Sequence, residues 1–231
     1  MIRYLVHNCF GLEVEGLKII FDIPEKGYFN QLDESHLLKF FKNSDIHLFY
    51  SHSHSDHFRS DVKELEKVSK NLIVYGPDNV LDLLICSERC KKNILNSEAN
   101  FINKYFNIQS FDSNDEGLAF LIQAGKKTIY FGGDLACWDW DDLTSDEYNL
   151  YVDYFYEILD ELSKHRIDIA FTNWDNRVKK FSGGLDFYNK VKPEIFIPMH
   201  FFGDLSNLES INIIEEKKVV DDINTVYNIK K

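Results

Sequence analysis

Cysteine, proline and glycine are all scarce in this chain of 231 residues, numbering 4, 4 and 11. So little glycine and proline excludes a collagenous or low-complexity chain. The four cysteines include no CxxC pair, which leaves a disulfide framework or a thiolate zinc site without support. Cys86 and Cys90 stand four apart in a predicted helix and read as buried thiols. No apolar run approaches the length of about 18 residues that a membrane span needs, and the opening MIRYLVHNCFGLEVEG lacks the apolar core of a secretory leader, so a cytoplasmic protein is expected. Basic residues are outnumbered, 26 against 38 acidic, and the formal charge of -12 repels phosphate backbones. No nucleic-acid partner is expected. What is present, 44% hydrophobic and 15% aromatic residues with 28% charged, suffices for a sizeable core, and residues 1–231 are read as one globular domain.

The pattern along the chain mixes strands and helices. IRYLVH, FGLEVE with Phe10, Leu12 and Val14 alternating, and LKIIFD read as a meander. A loop through Pro24, Gly27 and Asn30 leads to the buried-type strand IHLFY (46–50), which runs directly into SHSHSDH. A helix over Ser60 to Ser69, a strand at 72–75 and a second helix near Asp78, read as its N-cap, follow. From Phe101 the strands FINKYFNIQSF, GLAFLIQ and TIYF are predicted, with a turn at Gly125-Lys126. Tyr151, Tyr154, Phe155, Ile158, Leu159 and Leu162 recur at helical spacing between Asp146 and His165. A strand at 167–171, a helix at 185–191, a strand at 194–198 and a last helix around 208–217 complete the prediction.

The chemistry concentrates in one short segment. Three of the eight histidines, His52, His54 and His57, fall within six residues together with Asp56. Imidazole and carboxylate at this spacing suit divalent metals: in an extended turn, His52 and His54 can grip one ion while Asp56 and His57 address a neighbouring one. Two such ions in a hydrolytic site lie about 3.5–4 Å apart. Asp134 and His200 each follow a strand, where open sheets collect their sites. The plain alternatives are a solvated histidine-rich loop, a turn aspartate and a hydrogen-bonded histidine. Trp138 and Trp140, just past Asp134, would either wall a substrate pocket or pack beneath a loop.

The segment His52-Ser53-His54-Ser55-Asp56-His57 matches the HxHxDH motif, and with it the chain resembles the metallo-β-lactamase superfamily over nearly its whole length. HNCF (7–10) looks like the N-terminal turn of the branch containing ascorbate-6-phosphate lactonase-like proteins; IIFD, FGGD and PMH look like further family motifs. The resemblance implies a mixed α/β fold, a four-layer αββα sandwich with a metal site at its edge. The cofactor it implies is one or two divalent ions, zinc before manganese or iron. It assigns His52 and His54 to a first metal, Asp56, His57 and His200 to a second, and Asp134 to a bridge. Asp22 is the family's first acidic position, with His7 beside it in a supporting role. The family's further histidine is missing, since none lies between His57 and His165; Asp115 in SFDSNDEGLAF is the candidate replacement. Asp175 and Arg177 match an Asp-x-Arg loop, in which Arg177 either binds a substrate anion or pairs with Asp175.

These readings predict a metal-dependent hydrolase acting on an ester, lactone, amide or phosphoester of a small molecule. With a single metal, Asp56 is freed to act as general base. A non-catalytic metal sensor or scaffold, and a phosphodiesterase or nuclease, are the alternatives. Self-association is left open.

Overall fold

A computed structural model describes residues 1–29, 34–201 and 210. The helix predicted around 208–217 lies outside the described residues, Ser210 apart. The chain is mixed α/β, with two six-stranded sheets and few helices. It falls into two compact units that divide between Asn96 and Ser97. Among the described residues no helix is long and apolar enough to cross a membrane.

The first unit opens with the predicted meander: β1 (Ile2–Val6), β2 (Cys9–Val14) and β3 (Leu17–Phe21) pair antiparallel. From β3 the sheet continues in parallel through β4 (Asp45–Phe49), β5 (Asn71–Gly76) and β6 (Lys91–Ile94). Ile46 to Phe49 and Leu72 to Gly76 are buried without interruption, as parallel strands are when both faces are covered. Helix α1 (Glu34–Phe41), unanticipated from the sequence, supplies Leu37 and Phe41 to the core. Gly11 permits this approach, because a Cβ there would stand 3.2 Å from the Phe41 ring. Helix α2 is shorter than predicted (Lys63–Val68). Helix α3 (Asp78–Asp82) has Pro77 as its N-cap, so Asp78 is its first residue rather than its cap. Cys86 and Cys90 are not helical: α3 ends before them, and both lie partly buried in the turn leading to β6.

The second unit mirrors this division of labour. β10 (Lys127–Phe131), β11 (Ile169–Asn173) and β12 (Ile195–Met199) are parallel, while β10, β9 (Leu118–Ala124), β8 (Phe106–Asp112) and β7 (Asn100–Ile102) run antiparallel in turn. The single strand expected at 101–111 is thus a hairpin, broken where Asn103 Oδ1 accepts from the Tyr105 and Phe106 amides. The predicted long helix forms as α4 (Ser145–Tyr148), a π-helical turn (Asn149–Asp153) and α5 (Tyr154–Leu162). A capping box starts it: Thr144 Oγ1 accepts from Glu147 N, and the Glu147 carboxylate accepts from Thr144 N. The π turn shifts the helical phase, so Val152 joins Phe155, Leu159 and Leu162 in the core while Tyr151 and Tyr154 flank it. Helix α6 (Gly184–Val191) buries Phe187 and Val191.

At the start of β11, Asp168 binds Lys127 Nζ at 2.8 Å and the Thr128 amide at 2.8 Å. Burial works to raise its carboxyl, but these two donors outweigh it and hold Asp168 below the usual range. A depressed folded-state value adds stability above the unfolded value, and the gain disappears as pH falls through the folded one. Replacing Asp168→Asn should cost about 1–3 kcal/mol at neutral pH and almost nothing in strong acid. Urea titrations of both proteins across the acid range measure this difference, which should shrink steadily as pH falls.

Candidate metal centre

Asp22, the residue after β3, is wholly buried, and three donors converge on its carboxylate. Oδ1 accepts from the Ser51 amide at 2.8 Å; Oδ2 accepts from Ser51 Oγ at 2.6 Å and faces His57 Nδ1 at 2.8 Å. These contacts follow from strand register. β3 and β4 run parallel with Phe21 opposite Phe49, and Asp22 N donates to Phe49 O, so the residues just past both strands meet.

The contacts also fix where the ring protons lie. Ser51 Oγ has a single proton and gives it to Asp22, so toward His52 Nδ1, 2.9 Å away, it must accept. His52 therefore carries its proton on Nδ1. His57 likewise donates from Nδ1 to Asp22. In the neutral form of both rings Nε2 is then the lone-pair nitrogen, the form in which histidine binds a metal. The two ring centroids stand 4.0 Å apart, and His54 stands 4.7 Å from His52. One donor atom each from Asp22, His52 and His57 lie within 4.8 Å of one another. An imidazole pair oriented by a buried carboxylate fits a divalent cation. Asp22, with both oxygens already accepting, serves as the orienting group.

Asp56 stands beside these rings, its Oδ2 3.7 Å from His57 Nε2 and 3.3 Å from His7 Nε2. Burial would raise its carboxyl, but the hydrogen bond and charge of His7 prevail and hold it below the usual range. His7 itself is buried in the left-handed region, at φ 48°, with its amide donating to the Tyr4 hydroxyl.

In the second unit the three parallel strands β10, β11 and β12 each end at a candidate donor. Asp134 follows β10 after Gly132 and Gly133, Asp175 follows β11, and His200 follows β12 directly. All three are buried. His200 Nε2 is 3.7 Å from Asp134 Oδ1, and its Nδ1 is 3.7 Å from Asp175 Oδ2. His200 holds φ 67°, in the left-handed region that side-chain-bearing residues adopt rarely. Asp175 accepts from the Arg177 backbone amide and from its Nε and Nη2. Burial opposes ionisation of Asp175, yet His200 and Arg177 hold its carboxyl far below the usual range.

Trp138 is buried; its Nε1 donates to Asp134 O at 3.0 Å, and its ring meets His200 edge-on at 5.3 Å. Trp140 stacks on it nearly parallel, at 6.4 Å. Arg177 is exposed and engaged with Asp175, the plainer of its two readings. Asp115 stands apart from the rest. It is exposed, its amide bonds Ser113 Oγ, and it belongs to none of the groups of three or more neighbouring donor side chains among the described residues. The buried residue of that turn is Asn114, which clasps Ala136 through both its amide oxygen and nitrogen. The sequence reading did not single out Ser51. A hydroxyl at the strand exit, directly before the first motif histidine, was the available signal. Asp175 was read only as a partner for Arg177, although it too follows a parallel strand.

Compared with solved structures, the chain is similar to Igni18, a metallo hydrolase from the hyperthermophilic archaeon Ignicoccus hospitalis KIN4/I, at 16% identity and TM-score 0.67, covering 99% of this chain and 98% of that one. It is similar to the metallo-β-lactamase fold protein YhfI from Bacillus subtilis at 13% identity and TM-score 0.60, covering 90% of each chain. It is also similar to an isothiocyanate hydrolase from Delia radicum gut bacteria at 14% identity and TM-score 0.57, covering 95% of each. No protein-family model and no curated protein matches the chain. The chain has the metallo-β-lactamase fold.

The orienting role of Asp22 has a direct test. Asp22→Asn cannot accept from both Ser51 and His57 in the same way, and metal affinity should fall by about 10–100-fold. Ser51→Ala should weaken it too, by releasing His52 alone. Competition against a chromophoric chelator reads both.

Proposed function

We propose that this chain is a metal-dependent hydrolase of a small molecule, cleaving an ester, lactone, amide or phosphoester bond. The observation that supports this most is the Asp22-centred network, which presents the Nε2 lone pairs of His52 and His57 side by side. In the first unit His52, His54, Asp56 and His57 would hold an ion, and in the second Asp134 and His200 offer further donors, with zinc favoured by imidazole-rich ligands. When bound, such an ion lowers the pKa of a water to about 7 and polarises the bond under attack.

The chain's own groups do the remaining work. Asp22 and Ser51 keep the His52 and His57 rings in one tautomer, and Asp175 orients His200. With a single metal Asp56, held ionised beside His7, would be free of the ion and take up a proton at Oδ2. Trp138 shields His200 from solvent and offers an apolar wall to the substrate. The wider likeness of the HNCF turn to lactonase-like proteins favours lactones and sugar phosphates among the substrates to screen. The likeness to an isothiocyanate hydrolase adds electrophilic carbon outside the ester class.

The test is metal content by plasma mass spectrometry on untagged protein, run beside hydrolysis of lactone, ester, phosphoester and isothiocyanate panels. Metal should be present, be lost in His57→Ala and be retained in Asp115→Ala, because Asp115 is exposed and apart from the donor side chains. Chelation should abolish turnover and zinc should restore it. Protein that stays metal-free after reconstitution overturns the proposal; metal without turnover on any panel replaces it with the sensor reading.

A further inference from the structure

Cys86 and Cys90 take no part in the metal centre, and both are free thiols. They are half-buried and pack against the same hydrophobic core of the first unit, so the two side chains point the same way. The chain reverses between them: Cys90 N donates to Ser87 O at 3.0 Å, closing a turn whose ends stand within about 7 Å of one another. Cys86 precedes this turn and Cys90 closes it, and the thiols are near enough for Cys86 to act on Cys90 by hydrogen bonding and charge. Both flanks are pinned. Ile85 N donates to Ser60 O at 2.8 Å, and Ile85 O accepts from Val62 N. Ser87 N donates to Glu66 Oε2 at 3.0 Å, and Ser87 Oγ donates to Glu66 Oε1. After Cys90 the chain enters β6 at once, with Lys91 opposite Ile73. Thiols held on one side of a pinned turn have a high effective concentration for one another, and a turn of this span is one that a disulfide bridges.

We infer that Cys86 and Cys90 form a site of reversible oxidation, closing an intramolecular disulfide by exchange with a small disulfide such as oxidised glutathione. Burial, and then the neighbouring Cys86, push the Cys90 thiol up, so Cys86 is the thiol that attacks. The Cys86 thiolate attacks one sulfur of the small disulfide, and the other sulfur leaves as a thiolate that takes up a proton. Cys90 then gives up its proton and attacks the Cys86 sulfur of the mixed disulfide, expelling a second thiolate that takes that proton. Two protein thiols are oxidised, and one disulfide is reduced to two thiols. Cys9 is fully buried and Cys137 is 2% exposed, so the oxidant reaches neither. The bond staples a turn to which Ser60 and Glu66 are already tied. The inference does not depend on the hydrolase reading.

The full chain, equilibrated with and without chelator against glutathione buffers of graded oxidation, tests this by intact mass and by alkylation after unfolding. The four thiols should fall to two in both conditions, with loss of two hydrogens and no added glutathione, and dithiothreitol should restore all four. Cys90→Ser should instead retain one glutathione on Cys86, and Cys86→Ser should react more slowly than Cys90→Ser. Four thiols that survive the most oxidising buffer overturn the inference. So do glutathione retained on the unsubstituted chain, a disulfide between chains, or thiols returned by chelator alone, which would mark a metal held between the sulfurs.

Discussion

A buried carboxylate is costly unless its lone pairs are met, and Asp22 meets that cost by drawing together the exits of two strands. Its three donors come from Ser51 and His57, so the turn between β4 and α2 closes onto it. The chemistry of the SHSHSDH loop is thereby written into a structural requirement. The carboxylate needs donors, the donors that reach it are one hydroxyl, one amide and one imidazole, and satisfying it leaves two imidazoles in the same proton state. Removing the charge would release the loop and the tautomers together.

Parallel strands explain why the donors collect where they do. In each unit an antiparallel meander hands over to a parallel ladder, and candidate donors follow the C-terminal ends of ladder strands: β3 and β4 in the first unit, β10, β11 and β12 in the second. Parallel neighbours end side by side, so residues distant in sequence come within side-chain reach without any long loop. Turning sharply off a strand carries a backbone cost, visible in the positive φ of Asp22 and His200 and avoided after β10 by the glycine at 133.

Much of this was legible in the sequence, and the misses have physical causes. The meander and the buried strands were readable because alternating and continuous apolar runs are strong, local signals. SHSHSDH announced itself by composition. Helix α1 was missed because its apolar residues, Leu37, Leu38, Phe40 and Phe41, fall in two adjacent pairs within a single short segment and repeat no helical face. The turn at Asn103 was hidden because one side-chain carbonyl, rather than a glycine or proline, breaks the strand. Cys86 and Cys90 have helical spacing, but α3 stops at Asp82 and the spacing has no helix to act through. Asp115 was favoured by its position and by the likeness of its segment to a family subgroup, whereas the neighbouring Asn114 carries the turn's buried contacts, which only three-dimensional packing reveals. The directions of the Asp22 hydrogen bonds, and so the tautomers, lie wholly beyond sequence.

Between Asp175 and α6 the backbone winds the wrong way for four residues: Lys180, Phe181, Ser182 and Gly183 all have positive φ. Glycine or asparagine would relax the first three positions. Each side chain there is already committed, however: Lys180 binds Asp186, Phe181 stacks on Trp174 at 4.6 Å, and the Ser182 hydroxyl accepts from the Asp175 amide. Stabilisation by design would therefore meet a trade at this turn. A substitution that eased the backbone at Phe181 or Ser182 would loosen an anchor on Trp174 or Asp175, so thermostability and a well-set Asp175 cannot be improved there by the same change.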